Sequence, residues 1–314
     1  MIHFLTPILQ PYRIKFYEKL SKYYNGEIIF YYGLSEKTGR ASFSENVNFK
    51  TKPKIEYKLK LKTYHLVFWK NMFNLNLKKD DILLVQPILG NISILFTIIR
   101  AKITGAKVFF WVCAYEPDHN FFLTKIKNLI TRLIYSFCDE AICYSNYAYK
   151  FCKRMGLKKN QISIAFNGID KPKFIKKTEK KNIYRLGYLG AIISEKGIET
   201  LLNATNFLKS DYNLEIIGDG ELLHHLKARY KFNDRIRFFG KRFENEVFLS
   251  NLDLLIIPGQ GGLSAIEAIY QNTYVLCSED CDPAVFDVII NKKNGEFFKK
   301  GIKPNELAIL IDKL

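Results

Sequence analysis

The first half of this 314-residue chain is short of carboxylates: residues 1–181 hold 13 Asp and Glu against 32 Lys and Arg, a balance of +19. Residues 182–314 hold 18 against 16, a balance of −2, so the overall +17 belongs to one half only. Metal-binding cysteine patterns are also missing. The six cysteines, at 113, 138, 143, 152, 277 and 281, fall in no paired ligand spacing, and nothing at the N-terminus resembles a signal peptide. Reduced thiols and a cytoplasmic location are the expectation. Long uninterrupted apolar runs are lacking too: the longest, Ile82 to Ile99, contains Gln86, Pro87, Gly90, Asn91 and Ser93, which argues against a bilayer span. No fixed-period repeat is present, which excludes a solenoid.

The composition that remains, 48% hydrophobic and 25% charged, is that of a globular protein long enough for two cores. Short apolar runs alternate with helical patterns, as in parallel sheets with helical crossovers. In the first half, IHFLT, EIIFYYG, ILLVQ, KVFFWVC, EAICYS and ISIAF read as strands, and helices are expected at about Tyr12–Tyr24, up to Gly105, and over Phe121–Phe137. In the last of these, Leu123, Ile126, Leu129, Ile130, Leu133, Ile134 and Phe137 recur at helical spacing, and this stripe is expected to be taken up mostly by the core. Lys171–Asn182, with Pro172, six lysines and no apolar period, reads as a linker between domains at 1–170 and 183–314. Beyond it the alternation resumes, with a helix expected near Gly197–Leu208, others from Glu221 and Leu263, and a last one around Ala284–Ile290.

The segment richest in chemistry is PGQGGLSAIEA, Pro258 to Ala268, which follows the apolar strand LLII and opens a helix. Glycines there let the backbone approach a ligand, and unpaired N–H groups at a helix start favour an anion. The same letters also fit a capping box, with Ser264 and Glu267 serving only their own helix.

Four further segments stand in a telling order. FNGIDKPKF (Phe166 to Phe174), YLGAIISEKGIETLLNA, IIGDGE and IRFFGK, followed by PGQGGLSAIEA, resemble the successive signatures of the retaining glycosyltransferases related to glycogen and sucrose synthases, the family 4-like or group 1 enzymes of the GT-B fold. PYRIKFYEKL extends the likeness loosely towards the N-terminus. The resemblance implies an α/β protein of two Rossmann-like domains facing a cleft, with parallel sheets and helices on both faces. The second domain would hold a UDP-sugar or GDP-sugar and the first the acceptor, a surface glycan or lipid-linked molecule.

Carried over residue by residue, the resemblance implies that Lys196 faces the donor diphosphate and counters charge on the leaving group. Gly261, Gly262, Leu263 and Ser264 would cradle the distal phosphate, Glu267 would take the ribose hydroxyls, and Gly218 and Gly220 would form the bend that admits the nucleotide. There are three departures. The glutamate that usually reads sugar hydroxyls aligns with Gly259, the usual arginine before the Lys-Gly pair with Ala191, and the usual first-domain histidine with Cys113 or Ala114. His119 is the candidate in its place, with Glu116 and Asp118 more distant ones. The chain also stops inside an apparent helix, ELAILIDKL, shorter than is usual in the family.

With no Asp-x-Asp motif in a suitable loop, neither a metal nor another cofactor is expected, and helix N-termini and cations would neutralise the diphosphate. The basic half suggests an anionic membrane surface as partner and a peripheral position on its inner face, held chiefly by electrostatics. A nucleic-acid-binding protein is the contrasting reading, prompted by the lysine- and aromatic-rich stretch Lys50–Lys70, but no nucleic-acid motif accompanies it. A GT-B protein without transferase activity is the other alternative, given Gly259 and Ala191.

Overall fold

The computed structural model describes residues 1–34, 47–61, 64–113, 121–169, 172–176, 183–242 and 245–314. They form two units, Met1–Asn167 and Gly168–Leu314.

The first unit runs β1 (Ile2–Thr6), α1 (Ile14–Tyr23), β2 (Ile28–Leu34), β3 (Lys50–Leu61), β4 (Tyr64–Trp69), β5 (Ile82–Val85), α2 (Ile92–Thr104), β6 (Lys107–Val112), α3 (Phe121–Tyr135), β7 (Glu140–Cys143), α4 (Asn146–Arg154) and β8 (Ile162–Ile164). Its sheet has the order β4-β3-β2-β1-β5-β6-β7-β8, parallel throughout except for the antiparallel pair β3–β4. Every residue of β1 is buried because both faces of the sheet are covered. Tyr17 of α1 packs with Phe4 and Phe30 on one face, while Ile94 and Ile98 of α2, Tyr135 of α3 and Phe151 of α4 pack with Val108 and Phe110 on the other. Local chemistry sets the helix ends. The Asn91 side chain accepts from Ile94 N at 3.1 Å at the start of α2, and Gly105, at φ 79°, ends it.

The structure adds to and departs from the sequence reading of this unit. Within the Lys50–Lys70 stretch, β3 and β4 pair antiparallel: Lys54, Glu56 and Lys58 alternate with Ile55, Tyr57 and Leu59, a period of two, and the buried Trp69 donates from Nε1 to Glu56 at 3.1 Å. The α3 stripe is not consumed by the core. Ile126, Leu129, Ile130 and Leu133 are exposed, and the helix packs instead through Thr131, Ile134 and Tyr135. The expected first helix is also shorter, with Pro11–Arg13 forming a 3-10 turn before α1.

The second unit runs β9 (Tyr184–Leu189), α5 (Ile198–Ala204), β10 (Tyr212–Ile217), α6 (Leu223–Arg229), β11 (Ile236–Gly240), α7 (Glu246–Asn251), β12 (Leu254–Ile257), α8 (Leu263–Tyr270), β13 (Tyr274–Ser278), β14 (Gly295–Phe298) and α9 (Pro304–Asp312). Its six strands are all parallel in the order β11-β10-β9-β12-β13-β14. Numbered within the unit this is 3-2-1-4-5-6, the doubly wound Rossmann order, whose switch point lies between β9 and β12. Leu201 of α5, Leu226 of α6 and Leu307 of α9 pack on one face, and Leu249 of α7 and Ala265 and Ala268 of α8 on the other. The helix expected around Ala284–Ile290 is a 3-10 turn, Pro283–Asp287, started by Pro283 and capped by Asp282 Oδ1 on Ala284 N at 2.9 Å.

Residues 172–176, inside the stretch expected to link two domains, are fastened to the second unit. The buried Gln271, just past α8, accepts from Ile175 N at 2.9 Å and donates to Lys173 O at 2.7 Å, while Phe174 meets Tyr270 edge-on. Replacing Gln271 with Ala leaves both backbone groups without their partner. We expect a loss of about 1–3 kcal/mol in denaturant-measured stability and faster limited proteolysis within 172–176.

Candidate nucleotide-sugar site in the second unit

Parallel α/β sheets bind ligands beyond the carboxyl ends of their strands, at the switch point, where successive crossovers leave in opposite directions. In the second unit this is the space beyond β9 and β12, and both loops there carry residues singled out from the sequence.

The loop after β9 is held in place by its own backbone. Gly190 N donates to Ile217 O at 3.1 Å, Ile192 N to Asp219 O at 2.8 Å, and Leu222 N returns to Ile192 O at 3.1 Å, while the Ile192 side chain is fully buried. Gly218 and Gly220, at φ 156° and 157°, lie on the other side of these bonds. A Cβ on either would collide with the carbonyl oxygens of Gly190 or Ile192. These glycines therefore bring the loop after β10 into contact with the Lys196 loop, a role the sequence did not disclose.

Lys196 ends the 3-10 turn Ser194–Lys196, is half-buried, and is followed by Gly197 at φ 67°. That turn lies directly on the loop after β12. Gln260 N donates to Glu195 O at 3.3 Å, and a Cβ on Gly197 would stand 2.7 Å from Pro258 O. A Cβ on Gly259 would come within 2.8 Å of both Glu195 O and the Lys196 carbonyl carbon. With the two backbones this close, position 259, where the resemblance implies a glutamate, has no room for a side chain.

Gly261, Gly262, Leu263 and Ser264 form the start of α8. Gly262 is the N-cap and makes no side-chain cap bond, so the capping box proposed for Ser264 and Glu267 is not formed. Ala265 N donates to Gly262 O at 3.0 Å, and among the described residues the N–H groups of Gly262, Leu263 and Ser264 make no backbone hydrogen bond. From the far side, Asp282 N donates to Gly261 O at 2.7 Å, and a Cβ on Gly262 would be 2.6 Å from the Asp282 Cβ. Lys196 and the Gly261–Ser264 start of α8 are therefore brought to one place by three strand-end loops, after β9, β12 and β13. An Asp-x-Asp does occur in the last of these, but Asp282 caps Ala284 and Asp280 accepts from Ser278 at 2.5 Å. Among the described residues, no three His, Cys, Asp or Glu side chains gather as metal ligands. His119, Glu116 and Asp118 lie outside the described residues.

Glu267 sits in the second turn of α8, half-buried, facing the start of α7. Burial raises its pKa above the ordinary carboxyl value and the neighbouring Glu246 adds to this, while a hydrogen bond from Asn245 partly offsets them. An acid whose folded pKa is raised disfavours the folded state once ionised; the penalty is complete above the folded pKa and gone below the unfolded one. Glu267→Gln is therefore expected to melt at a higher temperature than the wild type at pH 7. The difference should shrink on acidification and vanish near the ordinary value of 4.5, as read by paired thermal melts across pH.

Residues 170–314 match the family model for glycosyl transferases group 1. In sequence the chain is 26% identical over 189 residues to the O-antigen chain mannosyltransferase RfbU of Salmonella typhimurium, an alignment covering 56% of this chain and 52% of that protein. The chain thus spans about half the length of the curated relatives it matches. Among solved structures, Anabaena Alr3699/HepE in complex with UDP superimposes with a TM-score of 0.68 at 14% identity, covering 99% of this chain and 89% of that one. The lipopolysaccharide outer core galactosyltransferase WaaB in its apo form gives 0.68 at 18% identity with the same coverage. The chain has the α/β fold of the GT-B glycosyltransferases, and its second unit is similar to glycosyl transferases group 1.

Proposed function

We propose that this protein is a glycosyltransferase that moves a sugar from a nucleoside-diphosphate sugar to a surface-glycan or lipid-linked acceptor, with retention of configuration and without a metal ion. The observation that carries the reading is the junction at the switch point, where a lysine-bearing turn and an uncapped helix start are pressed together. As the bond between the sugar and the diphosphate breaks, negative charge grows on the departing phosphate. The unpaired N–H groups of Gly262, Leu263 and Ser264, the positive end of α8 and the Lys196 ammonium would oppose that charge from positions fixed before the ligand arrives. Glu267, one turn further along α8, would accept hydrogen bonds from the ribose hydroxyls. UDP-sugars are the favoured donors because structural neighbours of the same fold were solved with UDP and UDP-glucose. Glycan acceptors are supported by the O-antigen and lipopolysaccharide enzymes among the similar proteins. Retention is what the resemblance of the motifs in the second half implies, and the anomeric configuration of the product by NMR checks it.

Two substitutions separate the roles. Lys196→Ala should lower kcat by about a hundredfold to a thousandfold, as loss of one preorganised electrostatic group does. Glu267→Ala should chiefly weaken donor binding, by about 1.5–3 kcal/mol for a charged hydrogen bond. Calorimetry with UDP and GDP in EDTA, followed by steady-state kinetics, measures both. Absence of nucleotide binding in EDTA that magnesium restores contradicts the metal-free mechanism, and unchanged kcat in Lys196→Ala contradicts the role of that residue.

A further inference from the structure

The second unit carries a solvent-open cavity of about 550 Å³ that lies apart from its candidate donor site. Two segments line it: the turn after α5, with Asn206, and the run from the end of α6 to the start of β11, with Arg229, Tyr230, Phe232, Asp234 and Arg235. Both segments lead into the amino ends of β10 and β11, whereas the loops that bring Lys196 and the start of α8 together leave the carboxyl ends of the sheet. Strands of five and six residues set the two edges roughly 16–20 Å apart.

Positive charge gathers at this edge. Residues 182–314 are nearly neutral, at −2, yet within 227–237 Lys227, Arg229, Lys231, Arg235 and Arg237 stand against Asp234 alone, a balance of +4. Two of these cations line the cavity in fixed positions. The Arg229 guanidinium lies over the Tyr230 ring, 5.4–5.6 Å being the range of such contacts here at 5.5 Å, and gives one N–H to Asn203 Oδ1 at 3.3 Å. The Arg235 guanidinium lies over the Tyr212 ring at 5.5 Å and reaches Asp211 Oδ1 at 3.1 Å, while Arg235 N donates to Asn233 Oδ1 at 3.1 Å and so holds the turn. A guanidinium carries five N–H donors, so one side-chain partner apiece orients these groups and leaves donors for an anion.

The rest of the lining has a different chemistry. The Phe232 ring is 92% exposed, with the Lys231 ammonium 5.4 Å from its centre. The Asn206 amide and the Asp234 carboxylate are exposed, and among the described residues neither side chain has a hydrogen-bond or ion-pair partner. A carboxylate only accepts hydrogen bonds and an amide both accepts and donates, so hydroxyl groups satisfy the two together. A polyphosphate would meet the Asp234 charge in the same cavity, whereas a sugar offers it hydroxyl donors and turns an apolar C–H face to an aromatic ring. Cations, hydroxyl-binding side chains and an open ring in one cavity suit a sugar unit that bears an anionic group.

We propose that this cavity binds an acidic oligosaccharide, with the anionic group held by Arg229 and Arg235, hydroxyls by Asn206 and Asp234, and a ring face by Phe232. The choice of a glycan rests on the proposed function, under which the site would keep hold of the growing chain at the edge of the sheet away from the donor.

The test is calorimetric titration of the intact protein with trigalacturonate, maltotriose, inorganic phosphate and oligouridylate, each with and without saturating UDP. The variants are Arg229→Gln/Arg235→Gln, Phe232→Ala, and Arg237→Gln, which removes a charge from the same run outside the cavity; matching melting temperatures establish that they fold. Trigalacturonate should bind equally well with and without UDP, and more tightly than maltotriose or inorganic phosphate. The double arginine variant should lose at least about tenfold in affinity, as loss of two charged hydrogen bonds requires, and Phe232→Ala about threefold or more, while Arg237→Gln should stay within about twofold of the wild type. Absence of trigalacturonate binding, its displacement by UDP, or equal losses in the double variant and Arg237→Gln overturns the proposal. So does tighter binding of oligouridylate with the same dependence on Arg229 and Arg235, which assigns the cavity to nucleic acid. Trigalacturonate binding in a protein that does not bind UDP supports the cavity and contradicts the donor site, so the two readings fail separately.

Discussion

Contact between the backbones of the two loops at the β9–β12 switch point is the constraint on which the second unit's candidate site depends. Glu195 O receives the Gln260 N–H, and Gly197 and Gly259 lie where any side chain would strike main-chain atoms of the opposite loop. Neither loop can move without moving the other. The position of Lys196 is therefore coupled to the start of α8, and the 3-2-1-4-5-6 strand order sets the two side by side although 62 residues separate Lys196 from Pro258. Strand order, loop contact and the direction of the helix dipole act together at this place.

The two units solve different problems with similar sheets. The second is nearly neutral and concentrates close backbone packing at its carboxyl edge, as fits recognition of a small charged ligand by fixed N–H groups. The first carries the positive charge, extends its sheet with the β3–β4 hairpin, and leaves apolar residues of α2 and α3 on the outside. The inner faces of those helices belong to the core through Ile94, Ile98 and Tyr135.

Much of the strand and helix order was legible because it rests on local rules. Asn91 and Gly105 bracket α2 as a cap and a left-handed stop, and continuous apolar runs such as LLII mark strands covered on both sides. The hairpin was hidden by its lysines: the alternation of Lys54, Glu56, Lys58 and Lys60 with Ile55, Tyr57 and Leu59 has a strand's period, but its charge drew attention first. The α3 stripe shows the limit of periodicity. Ile126, Leu129, Ile130 and Leu133 share a face, yet a helix apolar on two sides does not announce which side meets the sheet. At the candidate site, the residues and their order stand in the sequence, as does the glycine at 259. The close approach of the Glu195–Lys196 backbone to that glycine was not legible, because it is a distance between residues far apart in the chain. The glycines at 218 and 220 were likewise recognised as a bend, whereas their contact with Gly190 and Ile192 depends on which loops the sheet makes neighbours.

The double use of the Ile192 backbone, N–H to Asp219 and carbonyl to Leu222, has a consequence for the proposed donor site. A loop already tied at its middle, with its side chain sunk in the core, has little conformational entropy left to surrender when a ligand arrives. Under the proposed function, donor binding to such a loop would follow rigid complementarity, and a wrong donor would not be rejected by failing to order it. Discrimination among donors would fall instead to direct contacts with the sugar, which position 259 cannot make through a side chain.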